Sequence, residues 1–286
     1  MIAQCLSAAQ RTVPENFTVH SMHCYFVLAG DSDIPVIYYV EHVREGKSFA
    51  TRTVQARQRG KCIFTTTLSF VRENSGGSKQ VFHATPLLEG MSEPLESTEH
   101  DLDGSDQGGS PFRSQRFDIV NGDSDEPHAK KTRHWLKARG TISSSGGHQA
   151  HLSALAYMSD SYFIGTVSRI HRIWRFRGMA EKLDKNSFAY QQFKELVKSE
   201  GFGDDLENKA ERPEIGMMVS LDHTIYFHEP KKFRADEWMF TEMQSPWAGD
   251  GRGLVTQHIH SRDGTLVATC IQEGVVRLKQ DPKPKL

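Results

Sequence analysis

One layout occurs twice in this chain. An apolar segment, MIAQCLSAAQRT at residues 1–12, precedes four runs in which apolar and polar residues alternate, FTVHSMHCYFVLAG, PVIYYVEHVREG, FATRTVQARQ and CIFTTTLSFVR, all between 17 and 72. A second apolar segment, HQAHLSALAYMSDSYFIG at 148–165, precedes MMVSLDHTIYFHE, EWMFTEMQSPWAG, GLVTQHIHSRDG and TLVATCIQEGVVRL, between 217 and 278. Segments that are apolar on nearly every face predict buried helices. Period-two alternation broken by Gly, Asp and Pro predicts a meander of antiparallel strands. A helix followed by four strands, written twice, restricts the chain to an α+β architecture of two similar halves.

Overlaying the halves sets HSMHCYF (20–26) on SLDHTIY (220–226) and RQRGKCIFTTTLSF (57–70) on SRDGTLVATCIQEG (261–274). His23 then falls on His223 and Gly60 on Gly264, while Met22 faces Asp222 and Leu68 faces Gln272. The second copy thus has polar residues where the first has apolar ones. That is expected of a duplicated fold in which one set of positions does chemistry; it also follows if the second copy merely exposes them.

Between the halves, residues 74–130 are rich in Gly, Ser, Asp and Glu, as in NSGGS and DLDGSDQGGSP, and predict a partly disordered linker. The domain reading is therefore a first repeat over 1–73, this linker, and a second repeat over 131–286. Ser187 is placed to cap an amphipathic helix carrying Phe188, Phe193, Leu196 and Val197 and ended by Gly201.

Charge and cysteine usage exclude several classes. Lys plus Arg number 35 against 36 Asp plus Glu, a net charge of −1, so no electrostatic footprint for nucleic acid or an anionic membrane is present. No apolar run reaches the roughly 18 residues of a membrane span. Cys5, Cys24, Cys62 and Cys270 lie far apart with no C-x-x-C pair, the pattern of reduced thiols in an intracellular protein. The closing Pro284-Lys285-Leu286 is like the S-K-L peroxisomal signal with Pro in place of Ser, or else is a frayed basic tail.

Neither a G-x-S-x-G elbow nor a phosphate-binding loop occurs. Gly249 to Gly253 (GDGRG) lies between two strands and reads as a turn. His258 and His260 share a strand face without companion ligands and read as a solvated face; no metal and no cofactor is expected. Asp222, Ser245 and Gln272 come from three strands of the second copy. A buried carboxylate must be hydrogen-bonded or neutralised, and Gln and Ser can both accept from and donate to water. If the three converge, they can hold a water for attack on an activated carbonyl.

Taken together, LDHTIYFHEP, QSPWAGDGRG (244–253), DGTLVATCIQEGVVR (263–277), SFATRTVQARQRGKCIF (48–64) and AYMSDSYFIGT (156–166) resemble the type II acyl-CoA thioesterases, across almost the whole chain apart from 74–130 and 166–215. The resemblance implies a double hotdog, two helices each wrapped by an antiparallel sheet, with a tendency to homo-oligomers. It implies metal-free hydrolysis of acyl-CoA to free acid and CoA by a water activated by an Asp, a Ser or Thr, and a Gln. By motif these are Asp222 in LDHT, Ser245 in QSPWAG and Gln272 in IQEG. The family's pattern has strands and a Gly-Gly turn before the first helix, whereas this chain opens at Met1 within it, so the expectation is a first repeat missing its N-terminal strands. The alternatives are an acyl-CoA-binding hotdog protein with impaired turnover, or a thioesterase specialised for a secondary-metabolite pathway.

Overall fold

The computed structural model describes residues 1–87, 93–94, 111–173, 183–197 and 213–280. Helix α1 (Ile2–Gln10) buries Ile2, Cys5, Leu6 and Ala9, one stripe at helical spacing turned to the core. Four antiparallel strands follow, β1 (Phe17–Phe26), β2 (Ile37–Glu45), β3 (Phe49–Gln58) and β4 (Lys61–Arg72). Arg59 and Gly60 both adopt positive φ, 48° and 76°, between β3 and β4, a two-residue turn whose twist suits a hairpin.

The later part of the chain supplies β5 (Phe112–Val120), β6 (Lys131–Ala138), α2 (Gly147–Met158), α3 (Gly165–Ile170), a helix at Phe188–Val197 that we number α4, β7 (Ile215–Ser220), β8 (Asp222–Phe227), β9 (Met239–Gly249), β10 (Arg252–Ser261) and β11 (Leu266–Leu278). One sheet runs β2-β3-β4-β1-β8-β11-β10-β9-β6-β5, with β7 pairing β11. From either side toward the middle, the order 2-3-4-1 is matched by 9-10-11-8. The two inner strands meet antiparallel, Met22 opposite Ile225 and Cys24 opposite His223. Helices α1 and α2 pack together, and one continuous apolar cluster includes residues of both helices and both sets of strands.

Several expectations change. The segment read as a linker contains β5, which pairs with β6; the short alternating run in FRSQRFDIV is outweighed in composition by its Gly- and Ser-rich flanks. The run expected to be one strand from 217 breaks at Leu221 into β7 and β8, so that β11 pairs with one strand on either side of the break. The apolar segment 148–165 is not one helix: α2 stops at Met158, Tyr162 takes φ +61°, and α3 begins at Gly165. Ser159 closes α2 by bonding back to Ala156 O (3.1 Å), a local hydrogen bond that competes with helix continuation. Arg169 Nη1 donates to the Tyr162 carbonyl (3.1 Å) and its guanidinium lies over that ring at 5.3 Å, holding the left-handed residue in place. Ser187 accepts from Tyr190 N (3.1 Å) at the start of α4, with Phe193 and Val197 buried; Gly201 and Pro284 to Leu286 lie outside the described residues.

The overlay of the halves also slips by one residue in one strand. Met22 lies opposite Leu68 in the β1–β4 pair, while Thr224 lies opposite Ile271 in the β8–β11 pair, which sets His223 beside Gln272. With Gln272 kept over Leu68, the residue over Met22 is therefore His223 and not Asp222. Both Met22 and His223 are fully buried, whereas His23 is exposed. A register shift between Val19 and Ser21 in β1 falls just where the sequence overlay began, and a one-residue slip exchanges the faces of a strand.

Candidate active site

The inward face of β11 carries Cys270 and Gln272, both with no exposed surface. A buried primary amide must find partners for two donors and one acceptor, and Gln272 finds them on three elements. Its Nε2 donates to Asp160 Oδ1 at 3.0 Å and to Ser220 Oγ at 2.5 Å; its Oε1 lies 3.1 Å from His223 Nδ1. Asp160 comes from the break after α2, Ser220 from the last position of β7, and His223 from the inward face of β8. The far nitrogen of His223 lies 2.9 Å from Ser159 Oγ. The polar pair His223 and Gln272 thus occupies the level of the sheet that the apolar pair Met22 and Leu68 occupies in the first half.

Desolvation dominates the electrostatics. Burial pushes the Asp160 carboxyl from its usual 3.8 up to about 6, against the downward pull of the Gln272 hydrogen bond. Burial drives His223 down to about 4, so its imidazole is neutral around pH 7. Asp160 and Ser220, unlike Gln272, keep part of their surface accessible, and among the described residues Asp160 Oδ2 has no protein hydrogen bond. The Ser220 oxygen accepts from Gln272, which leaves its own proton for a ligand. This is an accessible carboxylate with a near-neutral pKa beside a hydroxyl donor, both fixed from behind by a buried amide. A general base working near pH 7 needs that pKa and that fixation.

The sequence-nominated residues divide. Gln272 lies at the centre of the cluster. The Asp222 carboxylate instead accepts the Glu273 backbone N–H at 2.7 Å, completing the ladder where β8 begins; burial raises its pKa and that hydrogen bond opposes the rise. Ser245 is 3% exposed and its hydroxyl faces Leu254 O (2.8 Å) and Trp247 O (3.2 Å). It sits at a bulge where the register steps from Leu254–Trp247 to Thr256–Gln244. There its hydroxyl satisfies carbonyls that the irregular ladder leaves over. Because β11 and β10 lie between β8 and β9, Asp222 and Ser245 are on the order of 14 Å apart along the sheet. The structure therefore does not gather Asp222, Ser245 and Gln272 around one point. Asp160 and Ser220, which it does bring to Gln272, lie within AYMSDSYFIGT and at the first position of SLDHTIY. Asp160 was hidden by its place in a run read as a single helix.

Residues 93–276 match the family described as the acyl-CoA thioesterase C-terminal domain, and residues 1–71 match the acyl-CoA thioesterase N-terminal domain. The chain belongs to the acyl-CoA thioesterase family. Among its relatives, acyl-coenzyme A thioesterase 8 of Mus musculus is 33% identical over 303 residues, spanning 98% of this chain and 79% of that protein. Among solved structures, the acyl-CoA thioesterase II TesB2 of Mycobacterium marinum has a TM-score of 0.67 and 28% identity, over 99% of this chain and 89% of that one. A conserved protein of unknown function with a hot dog fold from Alicyclobacillus acidocaldarius has a TM-score of 0.58 at 16% identity, over 98% and 86%, and bears on the fold alone. The fold of this thioesterase is a hotdog fold, in which a mostly antiparallel sheet packs against few helices.

Proposed function

We infer that this thioesterase hydrolyses acyl-CoA to free acid and coenzyme A with Asp160 as general base, Ser220 as hydroxyl donor and Gln272 as the group that holds both. The observation that carries this assignment is the single Gln272 amide nitrogen bonded to both Asp160 and Ser220. Ionised Asp160 takes a proton from water, the resulting hydroxide bonds to the thioester carbonyl carbon, and collapse of the adduct expels the CoA thiolate. A thioester is activated enough for an oriented water to attack without a covalent enzyme intermediate. Palmitoyl-CoA mixed with the protein and a thiol-trapping dye is expected to release CoA, and Gln272→Leu to release it at least a hundredfold more slowly, on the order of a general-base contribution. Release by Gln272→Leu at the wild-type rate would overturn the assignment.

The same reading includes the double hotdog, with a first repeat over 1–73 and a second reaching 286. It is supported by the matching strand orders of the two halves and by the separate N- and C-terminal family matches. It also includes a homo-oligomer, supported by Tyr25 and Tyr226 standing 60% and 39% exposed on the two central strands; light scattering measures the assembly. A peroxisomal location, supported by the likeness of Pro284-Lys285-Leu286 to S-K-L, is tested by imaging the chain fused behind a fluorescent protein.

A further inference from the structure

We propose that His223 is a positioning residue for this hydrolysis: it keeps the Gln272 amide turned so that both N–H groups face Asp160 and Ser220, and Ser159 selects the tautomer that does so. The proposal rests on the catalytic reading above and adds two residues to it, one of them from the same buried row as Gln272.

The hydrogen-bond chain has a direction. Gln272 Oε1 can only accept, so at 3.1 Å from it His223 Nδ1 must carry the proton. A neutral imidazole then has a bare Nε2, and the Ser159 hydroxyl at 2.9 Å donates to it, turning its one hydrogen away from the Ala156 carbonyl. Ser159, Nε2, Nδ1–H, Oε1 and the two N–H groups thus form one polarised line ending on Asp160 and Ser220. The line can also run backwards, since Ser159 Oγ lies 3.1 Å from Ala156 O. In that arrangement Ser159 donates to Ala156, Nε2–H donates to Ser159, Nδ1 accepts from a flipped amide, and Gln272 Oε1 faces Asp160. Two oxygens then meet at the Asp160 contact, so the reversed line requires a proton on that carboxyl. The forward line belongs to the ionised base and the reversed line to the protonated one. By supplying a donor at Nδ1, His223 favours the form of Asp160 that can activate water.

Three other titratable groups face Asp160, among them the Met1 amino group, whose own pKa burial lowers from the usual 8.0. That amino group, at the start of α1, lowers the Asp160 pKa, and Cys24 of β1 and Cys270 of β11 face the carboxyl as thiols that burial holds neutral. Phe163 packs edge-on to the His223 ring at 5.3 Å and supplies no hydrogen-bonding group. Of the two contributions that lower the Asp160 pKa, the Gln272 hydrogen bond is the one that His223 controls.

The test uses two substitutions that mimic one ring nitrogen each. Asparagine places an amide nitrogen near the position of Nδ1, and glutamine places one near Nε2. His223→Asn is expected to keep kcat within a few-fold of wild type with the acid limb of its pH profile in place. His223→Gln is expected to lose about a hundredfold in kcat, the cost of a misplaced reacting group, with KM unchanged and the limb moved to higher pH. Ser159→Ala, which leaves His223 intact, should move the limb the same way. Equal kcat and equal limbs for the Asn and Gln variants overturn the proposal, as does an unmoved limb in Ser159→Ala. Asp160→Asn separates the two levels: wild-type turnover there removes Asp160 as the general base, whereas loss of turnover there with matching His223 variants removes only the role of His223.

Discussion

Replacing Asp160 by asparagine is expected to lower activity and raise stability together. The folded protein holds this carboxyl at about 6 against its usual 3.8, so the folded state binds a proton more tightly than the unfolded one. The stabilising contribution of that proton is fully present below pH 3.8 and is lost as pH rises through about 6. A shift of about two units corresponds to roughly 3 kcal/mol, which is the cost to the fold of carrying an ionised Asp160 at neutral pH. Asparagine keeps the shape and an oxygen able to accept from Gln272, and it has no charge to desolvate. Urea unfolding of Asp160→Asn should therefore show a gain of up to about 3 kcal/mol above pH 6 that shrinks toward zero near pH 4. CoA release from palmitoyl-CoA should fall about 10²- to 10⁴-fold, the usual contribution of a general base. A variant that loses activity but gains nothing at neutral pH, or whose stability gain does not depend on pH, would refute the account of a base destabilised by burial.

Four further outcomes follow from the structure. Wild-type kcat/KM should climb to a plateau as pH rises through about 6, because Asp160 works only when ionised, and a profile falling through that range would contradict its role as base. Ser220→Ala should slow CoA release about 10- to 100-fold, the loss of one hydrogen bond of about 1.5–3 kcal/mol to a charged centre, with Ser220→Thr restoring most of it. Asp222→Asn should turn over at the wild-type rate and unfold at slightly lower urea, since its carboxylate serves the Glu273 N–H; a collapse in rate with the fold intact would return Asp222 to the chemistry. Gly274→Ala would set a Cβ 2.6 Å from Ile164 Cγ1 and 2.9 Å from Val219 O. It should destabilise by about 1–3 kcal/mol, as overpacking does, measured by the shift of the urea midpoint.

Hydrophobic patterning disclosed the two sets of strands, whose orders 2-3-4-1 and 9-10-11-8 match in the sheet, because alternation and apolar runs report which faces are buried and burial dominates the fold. It also led to Gln272, an amide on the inward face of a strand whose counterpart is Leu68. Patterning could not disclose Asp160. A helix and a helix with a break after Met158 have the same apolar composition, and what separates them here is a hydroxyl bonding back to Ala156 and a tyrosine held at positive φ by Arg169. Nor could it fix the register near His20, where the shift in β1 changes which residue of the second half stands over Met22. Ser220 and Asp222 are two positions apart, the spacing that normally places side chains on one face. The break at Leu221 separates them, sending one hydroxyl to Gln272 and one carboxylate to the backbone. Sites assembled at strand breaks and helix ends depend on such local hydrogen bonds, which leave little trace in periodicity.

The central pairing of β1 with β8 has a consequence for counting. Its near-symmetry offers two corresponding places in the sheet, and the protein furnishes only one with polar groups: His223 and Gln272 on one side, Met22 and Leu68 on the other, all four fully buried. Catalytic stoichiometry should accordingly be one per polypeptide. A non-hydrolysable thioether analogue of acyl-CoA would then saturate calorimetrically at one equivalent per chain of 286 residues, however many chains assemble. Substitutions at Met22 or Leu68 are then expected to lower turnover through the pairing of β1 with β8, in which Met22 stands opposite Ile225 and Cys24 opposite His223.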